Sequence, residues 1–175
     1  MWATSRGTEV DHISSIIIDG YNVIGIDHNN LTAQREGLIR LLSDYRKMKG
    51  HDITVVFDGW KSGGYKEESR NTGGIKVIYS RLGENADAVI KRIVCSEKKE
   101  WIVITSDRDI AAHAWSCGSV PVSSERFWSI LENTGKSIGG DYEPLDDEED
   151  AAHRKGSART ASRKDKTLQR ILKKL

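Results

Sequence analysis

Three short apolar runs, each stopping at an aspartate, constrain the fold more than any other feature. Ile16-Ile17-Ile18 leads into Asp19-Gly20, the run 53–57 leads into Asp58-Gly59, and the run 101–105 leads into Ser106-Asp107. Runs that are apolar at nearly every position, rather than at alternate ones, belong to strands buried on both faces. Between them lie segments with helical periodicity. Leu31–Lys49 carries Leu38, Leu41, Leu42 and Tyr45 on one face, with Thr32 as a candidate N-cap and Gly50 as a stop. Segment 85–98 does the same with Ala86, Val89, Ile90, Ile93 and Val94. Further strands are read at Ile75–Tyr79 and Val120–Val122. A short helix is read at 109–116. A last one is read at 124–133, with Ser124 as its cap and Phe127, Ile130 and Leu131 inward. The polar segment 60–74 holds four glycines and reads as a mobile loop. Strands alternating with helices predict an α/β three-layer sandwich around a central, mostly parallel five-stranded sheet.

The net charge of +1 hides a strong asymmetry. Acids and bases balance over residues 1–140, 18 of each, whereas the ten residues 141–150 hold seven acids and no base. Residues 151–175 hold nine bases and one acid. The expected organisation is therefore a domain over 13–135 and an acidic-then-basic tail over 141–175, partly disordered. Within that tail Leu168, Ile171, Leu172 and Leu175 form an amphipathic stripe. Its two readings are a marginal, solvated helix and a basic arm for nucleic acid or an acidic partner. No apolar run is long enough for a membrane span, and residues 1–10 lack the apolar stretch of a signal peptide. Cys95 and Cys117 are read as reduced thiols of a cytoplasmic protein, which argues against a disulfide scaffold.

In open α/β sheets, ligands bind beyond the carboxyl ends of the strands. Asp19, Asp58 and Asp107 all fall there, and Glu84 and Asp87 stand at the start of the following helix. A single aspartate in such a place is a cap or a turn residue. Several converging carboxylates repel one another unless a cation or proton compensates, and hard oxygen ligands suit Mg²⁺ or Mn²⁺. Other chemistries are screened out. There is no GxxxxGK[ST], no GxGxxG and no GxSxG. An aspartyl phosphatase would need a second acid where Tyr21 stands. His113 and Cys117 are four apart on a short helix, a spacing that could ligate a metal, but as two soft ligands without partners they are read as packing or surface residues.

The run 16–23, Ile-Ile-Ile-Asp-Gly-Tyr-Asn-Val, resembles the NYN family of PIN-like nucleases, and most closely its YacP-like branch. The other pieces follow in family order: Val-Val-Phe-Asp-Gly at 55–59, Val-Ile-Tyr-Ser at 77–80, Gly-Glu-Asn-Ala-Asp at 83–87, Ile-Thr-Ser-Asp-Arg at 104–108 and Val-Ser-Ser-Glu-Arg-Phe at 122–127. The resemblance covers roughly residues 13–131. It implies a PIN-like sandwich and metal-dependent endonucleolytic cleavage of RNA. It maps Asp19, Asp87 (supported by Glu84) and Asp107 to metal-binding acids, and Asn22 to a substrate- or water-positioning role. Asp58 matches the second-strand acid of the family. The implied substrate is single-stranded RNA or mRNA, with the ribosome as a candidate partner.

Bound Mg²⁺ or Mn²⁺ would make water a better nucleophile and offset charge on the phosphate. Lys61, Lys66 and Arg70, in the glycine-rich segment, are candidates for holding RNA, as are Arg108 and Tyr21. Three rival readings are carried. One is a catalytically silent RNA-binding module acting as an adaptor. A second is a Toprim-like site built on Asp107 and Asp109. The third is an interaction protein whose tail is the active part.

Overall fold

The computed structural model describes residues 14–25, 30–59, 65–97, 99–136 and 162–175. Among these residues six strands form one sheet: β1 (Ser15–Asp19), β2 (Asp52–Phe57), β3 (Glu68–Thr72), β4 (Ile75–Tyr79), β5 (Trp101–Ile104) and β6 (Val120–Val122). Their order is β3-β4-β2-β1-β5-β6, and every pairing is parallel except β3 with β4. The described helices are α1 (Gly20–Ile24), α2 (Leu31–Lys49), α3 (Ala86–Ser96), α4 (Arg108–Ser116), α5 (Ser124–Lys136) and α6 (Arg163–Leu172).

Period-two alternation sorts the strand residues into two cores. Ile16 and Ile18 point to one face with Val55, Phe57, Ile102 and Ile104, where Leu38, Leu42, Tyr45, Phe127 and Leu131 cover them. Ile17, Val56 and Val103 point to the other, where α3 and α4 bring Val89, Ile90, Val94, Ile110 and Ala114. The result is the expected α/β three-layer sandwich. Strand β1 lies at its centre, with β2 on one side and β5 on the other.

The sheet has six strands where five are expected. The additional strand, β3, lies inside 60–74, the segment read as a loop. It is an edge strand whose residues Glu-Ser-Arg-Asn-Thr are almost all exposed, so burial imposes no apolar alternation on it. It joins β4 through Gly73-Gly74, with φ of 60° and 83°. Two successive positive φ angles make the tight hairpin turn whose twist matches the strands.

Three further expectations change. Asn30, not Thr32, precedes α2, and its side chain makes no capping bond. Leu41 is 41 % exposed rather than inward. Cys95 and Cys117 are joined as a disulfide rather than left as separate thiols, with Cα atoms 5.3 Å apart, inside the range a bridge needs. A separation of 22 residues carries no sign of that proximity, which arises because α3 and α4 lie side by side.

The C-terminal stripe does form a helix, but not a solvated one. α6 opens with a capping box between Ser162 and Asp165. Ile171 and Leu175 are buried in the first core, with Leu168 and Leu172 packed beside them. The Tyr45 hydroxyl donates to the Leu175 carbonyl at 2.6 Å, and the Lys164 ammonium lies 5.3 Å from the Trp115 ring centre. The boundary read at Asp141 lies outside the described residues.

Candidate active site

The parallel strands place their carboxyl ends on one edge of the sheet, and the helices that follow begin there. Asp19 ends β1 and caps α1, accepting the Asn22 N–H at 3.3 Å. Asp107 follows β5 and caps α4, accepting the N–H groups of Asp109 at 2.7 Å and Ile110 at 3.1 Å. Asp58 follows β2 and accepts the Ala86 N–H at 2.6 Å, the first residue of α3. Asn85 caps α3, and Asp87 stands in its first turn. Asp19, Asp58 and Asp107 thus each have a local capping or anchoring task, and with Asp87 they share one edge of the sheet.

The shared edge perturbs Asp19 most. The residue is 7 % exposed, and its pKa is pushed up to about 6. Burial is the largest cause. The charges of Asp87, Asp58 and Asp107 add to it, and the Asn22 N–H opposes it. Asp87 is likewise raised, by burial first and then by Asp107, Asp58 and Asp109, with Lys91 pulling the other way. Among the described residues no ion pair neutralises Asp19, Asp58, Asp87 or Asp107. Lys91 is paired with Asp109. All four offer carboxylate oxygens, the ligand type of Mg²⁺ or Mn²⁺, but in this arrangement no three of them bring an oxygen within 4.8 Å of the other two, so an ion here would have to draw the side chains closer.

The Asp-Gly pairs have a steric reason. A Cβ on Gly20 would lie 2.3 Å from the Phe57 ring, and one on Gly59 would lie 1.8 Å from the Ser80 carbonyl oxygen. The Gly59 N–H also donates to the Ser80 hydroxyl at 2.9 Å. Neither strand could end as it does with a larger residue after its aspartate.

Asn22 acts as a tie across this edge. Its Oδ1 accepts both the Ser106 N–H and the Ser124 hydroxyl, each at 2.9 Å. It joins α1 to the β5 end and to the start of α5; Ser124, expected as the cap of that helix, is instead its first residue and donates its hydroxyl proton to Asn22. Ser106 and Ser124 lie within quoted motifs, yet neither is assigned to the site from sequence, because a serine hydroxyl or N–H gives no sign of which distant side chain it will meet.

The remaining candidates are dispersed. Glu84 points to Arg81, at 3.3 Å, and Arg92, at 3.8 Å, rather than into the acid cluster. Tyr21 is 9 % exposed and packs edge-on against Phe57, ring centres 5.2 Å apart. Burial raises its pKa, while Arg35 lowers it. That arginine, unmarked in the sequence, also lies over the Tyr79 ring at 5.7 Å. Lys66 and Arg108 are exposed. Arg70 sits on β3 and pairs with Glu68 at 2.9 Å. Lys61 lies outside the described residues. Among the described residues no helix is long and apolar enough to cross a membrane.

Comparison with known proteins gives the family and the fold. The family profile described as the YacP-like NYN domain matches residues 16–174. The uncharacterized protein YacP of Bacillus subtilis (strain 168) is 28 % identical over 85 residues, which is 45 % of this chain and 49 % of that protein. The match thus spans about half the length of that relative. Two crystal structures of Rae1 (YacP) from Bacillus subtilis share the fold. One, of a tryptophan-to-leucine mutant, superposes with a TM-score of 0.59 at 22 % identity, over 72 % of this chain and 79 % of the other. The second gives 0.58 at 24 % identity, over 72 % and 78 %.

Proposed function

The chain belongs to the YacP-like NYN domain family, a nuclease-like group, and from that premise we propose that it is a metal-dependent endoribonuclease. The observation that supports this reading is the buried Asp19, its pKa raised to about 6 amid Asp87, Asp58 and Asp107. Such a site destabilises itself without a cation and suits one with it.

In this reading Asp19, Asp87 and Asp107 hold Mg²⁺ or Mn²⁺, with Asp58 fixing the start of the helix that carries Asp87. The bound ion supplies charge neutralisation at the phosphate and a more acidic water. The protein's own part is positional. Strand ends and helix caps set the carboxylates before RNA arrives, so little reorganisation is needed during cleavage. Asn22 keeps α1, the β5 end and α5 in one arrangement. Arg108, next to Asp107, and Lys66 are both exposed, and in this reading they would meet phosphates. Tyr21 supports the site from beneath through Phe57 instead of stacking on a base.

The test is cleavage of a labelled, mostly single-stranded RNA with Mn²⁺, Mg²⁺ or EDTA, beside Asp19→Asn. An mRNA engaged on ribosomes serves as a second substrate. Metal-dependent cutting by the parent protein, lost in the variant, supports the proposal. Equal cutting by parent and variant removes it. Folded protein that binds both RNAs and cuts neither points to a silent adaptor.

A further inference from the structure

At the opposite ends of α3 and α4 from the carboxylates lies a second group of ligand-type side chains. Cys95 stands in the last turn of α3, while His113 and Cys117 lie one turn apart at the end of α4. One ligand atom from each falls within 4.8 Å of the other two. His113 Nε2 is 3.1 Å from Cys95 Sγ. From Asp87 to Cys95 the helix rises about 12 Å, at about 1.5 Å per residue, so this cluster is separate from the acid site.

A disulfide between the cysteines accounts for two of these three groups and needs no imidazole. A soft divalent cation accounts for all three. Tetrahedral Zn²⁺ with two thiolates and one imidazole places its ligand atoms about 3.5–3.8 Å apart, given Zn–S of about 2.3 Å and Zn–N of about 2.0–2.1 Å. That spacing fits inside the observed cluster. The ligands stand on two helices already packed together through Val94, Ile110 and Ala114. An open cleft lined by Glu97, Lys99, Glu100 and Gly118 adjoins both cysteines, leaving a fourth position for water or a carboxylate. Sulfur and imidazole select against Mg²⁺, just as the oxygen-only strand-end site suits it.

We infer that Cys95, His113 and Cys117, once the thiols are reduced, form a binding site for a soft divalent cation of the Zn²⁺ type. The redox and proton balance is simple. A phosphine reductant takes the oxygen of water as it opens the disulfide, giving the phosphine oxide and two thiols. Zn²⁺ then displaces both thiol protons and binds two thiolates and the neutral imidazole. Oxidation of the dithiolate by a disulfide reagent such as oxidised glutathione reforms the bridge, gives two glutathione thiolates, which take up protons, and frees the cation. This inference does not depend on the nuclease reading.

The experiment is a Co²⁺ titration of the full chain, reduced with a phosphine and kept free of oxygen. Expected is a sulfur-to-cobalt charge-transfer band, with the intense visible bands of a tetrahedral ion. Both should saturate at one equivalent and be displaced by Zn²⁺. Cobalt at the carboxylates gives neither, so Asp19→Asn should leave this spectrum unchanged. Cys95→Ser should abolish the charge-transfer intensity at one equivalent, and His113→Ala should weaken binding by more than about tenfold. Native mass spectrometry of the unmutated reduced chain gives a readout that does not depend on any variant folding, and one retained Zn²⁺ is expected. The inference is overturned if the reduced chain retains no Zn²⁺ or shows only weak octahedral bands. It is overturned equally if His113→Ala binds as tightly as the parent, or if the pair stays oxidised in excess phosphine.

Discussion

Oδ1 of Asp58 accepts the N–H of Ala86 at 2.6 Å, tying the end of β2 to the first residue of α3 across 28 positions of sequence. The bond sets where α3 begins, and therefore where Asp87 stands. Asp58→Asn retains an acceptor and should keep the helix start. Asp58→Ala loses it and should cost about 1–2 kcal/mol, the usual scale for a lost N-terminal acceptor. Urea denaturation of the two variants compares them. Since both variants lose the charge that bears on Asp19 and Asp87, their difference isolates the bond, and equal stability of Asp58→Ala and Asp58→Asn would mean that it contributes nothing.

The raised pKa of Asp19 predicts a pH dependence of the metal-free protein. Below the ordinary value of 3.8 the group is protonated whether folded or unfolded, and it costs nothing. From 3.8 to about 6 the unfolded chain gives up the proton while the folded one keeps it, so stability falls as pH rises. Above about 6 the penalty is complete, on the order of 2–3 kcal/mol. Asp19→Asn removes it. The variant should therefore gain stability over the parent at pH 7 and none at pH 3.5. Denaturation at both values in EDTA measures the difference, and a gain of the same size at both would exclude this cause.

Divalent ion and proton compete for that same carboxylate. Mn²⁺ should raise the melting temperature at pH 7.5 and lose most of that effect below about pH 6, where Asp19 holds its proton. An equal shift at pH 5 and pH 7.5 would place the ion elsewhere.

The two acids at the start of α3 should separate on mutation. Asp87→Asn should lower RNA cleavage by at least about a hundredfold. Glu84→Gln removes pairings with Arg81 and Arg92, neither shorter than 3.3 Å, and should change cleavage by less than about threefold. Initial rates at saturating Mn²⁺ decide this, and a collapse in Glu84→Gln would return that residue to the metal site.

Ile171, 5 % exposed, anchors α6 in the core. Ile171→Ala should destabilise the protein by about 2–4 kcal/mol. Tyr45→Phe, which removes the bond to the Leu175 carbonyl, should cost about 1 kcal/mol. Thermal melts report both. Deleting α6 is accordingly a test of folding as well as of any role for the basic face.

The residues that make the fold legible are those under the strictest packing constraint. Ile16, Ile17 and Ile18 are fully buried with partners on both faces, so polar substitutes are excluded and the strand is visible. Gly20 and Gly59 are legible for a related reason, since neighbouring atoms occupy the space of a side chain. Strand β3 meets no such demand and leaves only its Gly73-Gly74 turn as a trace. The carboxylates could be placed because strand ends and helix starts follow from the apolar runs. Side-chain direction could not. Glu84 and Asp87 are three residues apart, yet one turns to arginines and the other to the acids. The α6 stripe announces a helix, but which surface receives it depends on Tyr45 and β6, far away in sequence. Cys95 and His113 meet only because two helices pack, a tertiary fact without a local signature.

The late position of α6 imposes an order on biosynthesis. A ribosome makes β1, β2, α3 and β5, and with them every acid of the strand-end edge, before it reaches residues 163–172. Until then the core around Leu42, Tyr45 and Phe127 lacks Ile171 and Leu175, and an apolar surface stays open to chaperones or to other nascent chains. The edge that carries the chemistry is thus complete in sequence well before the hydrophobic seal that locks the molecule around it.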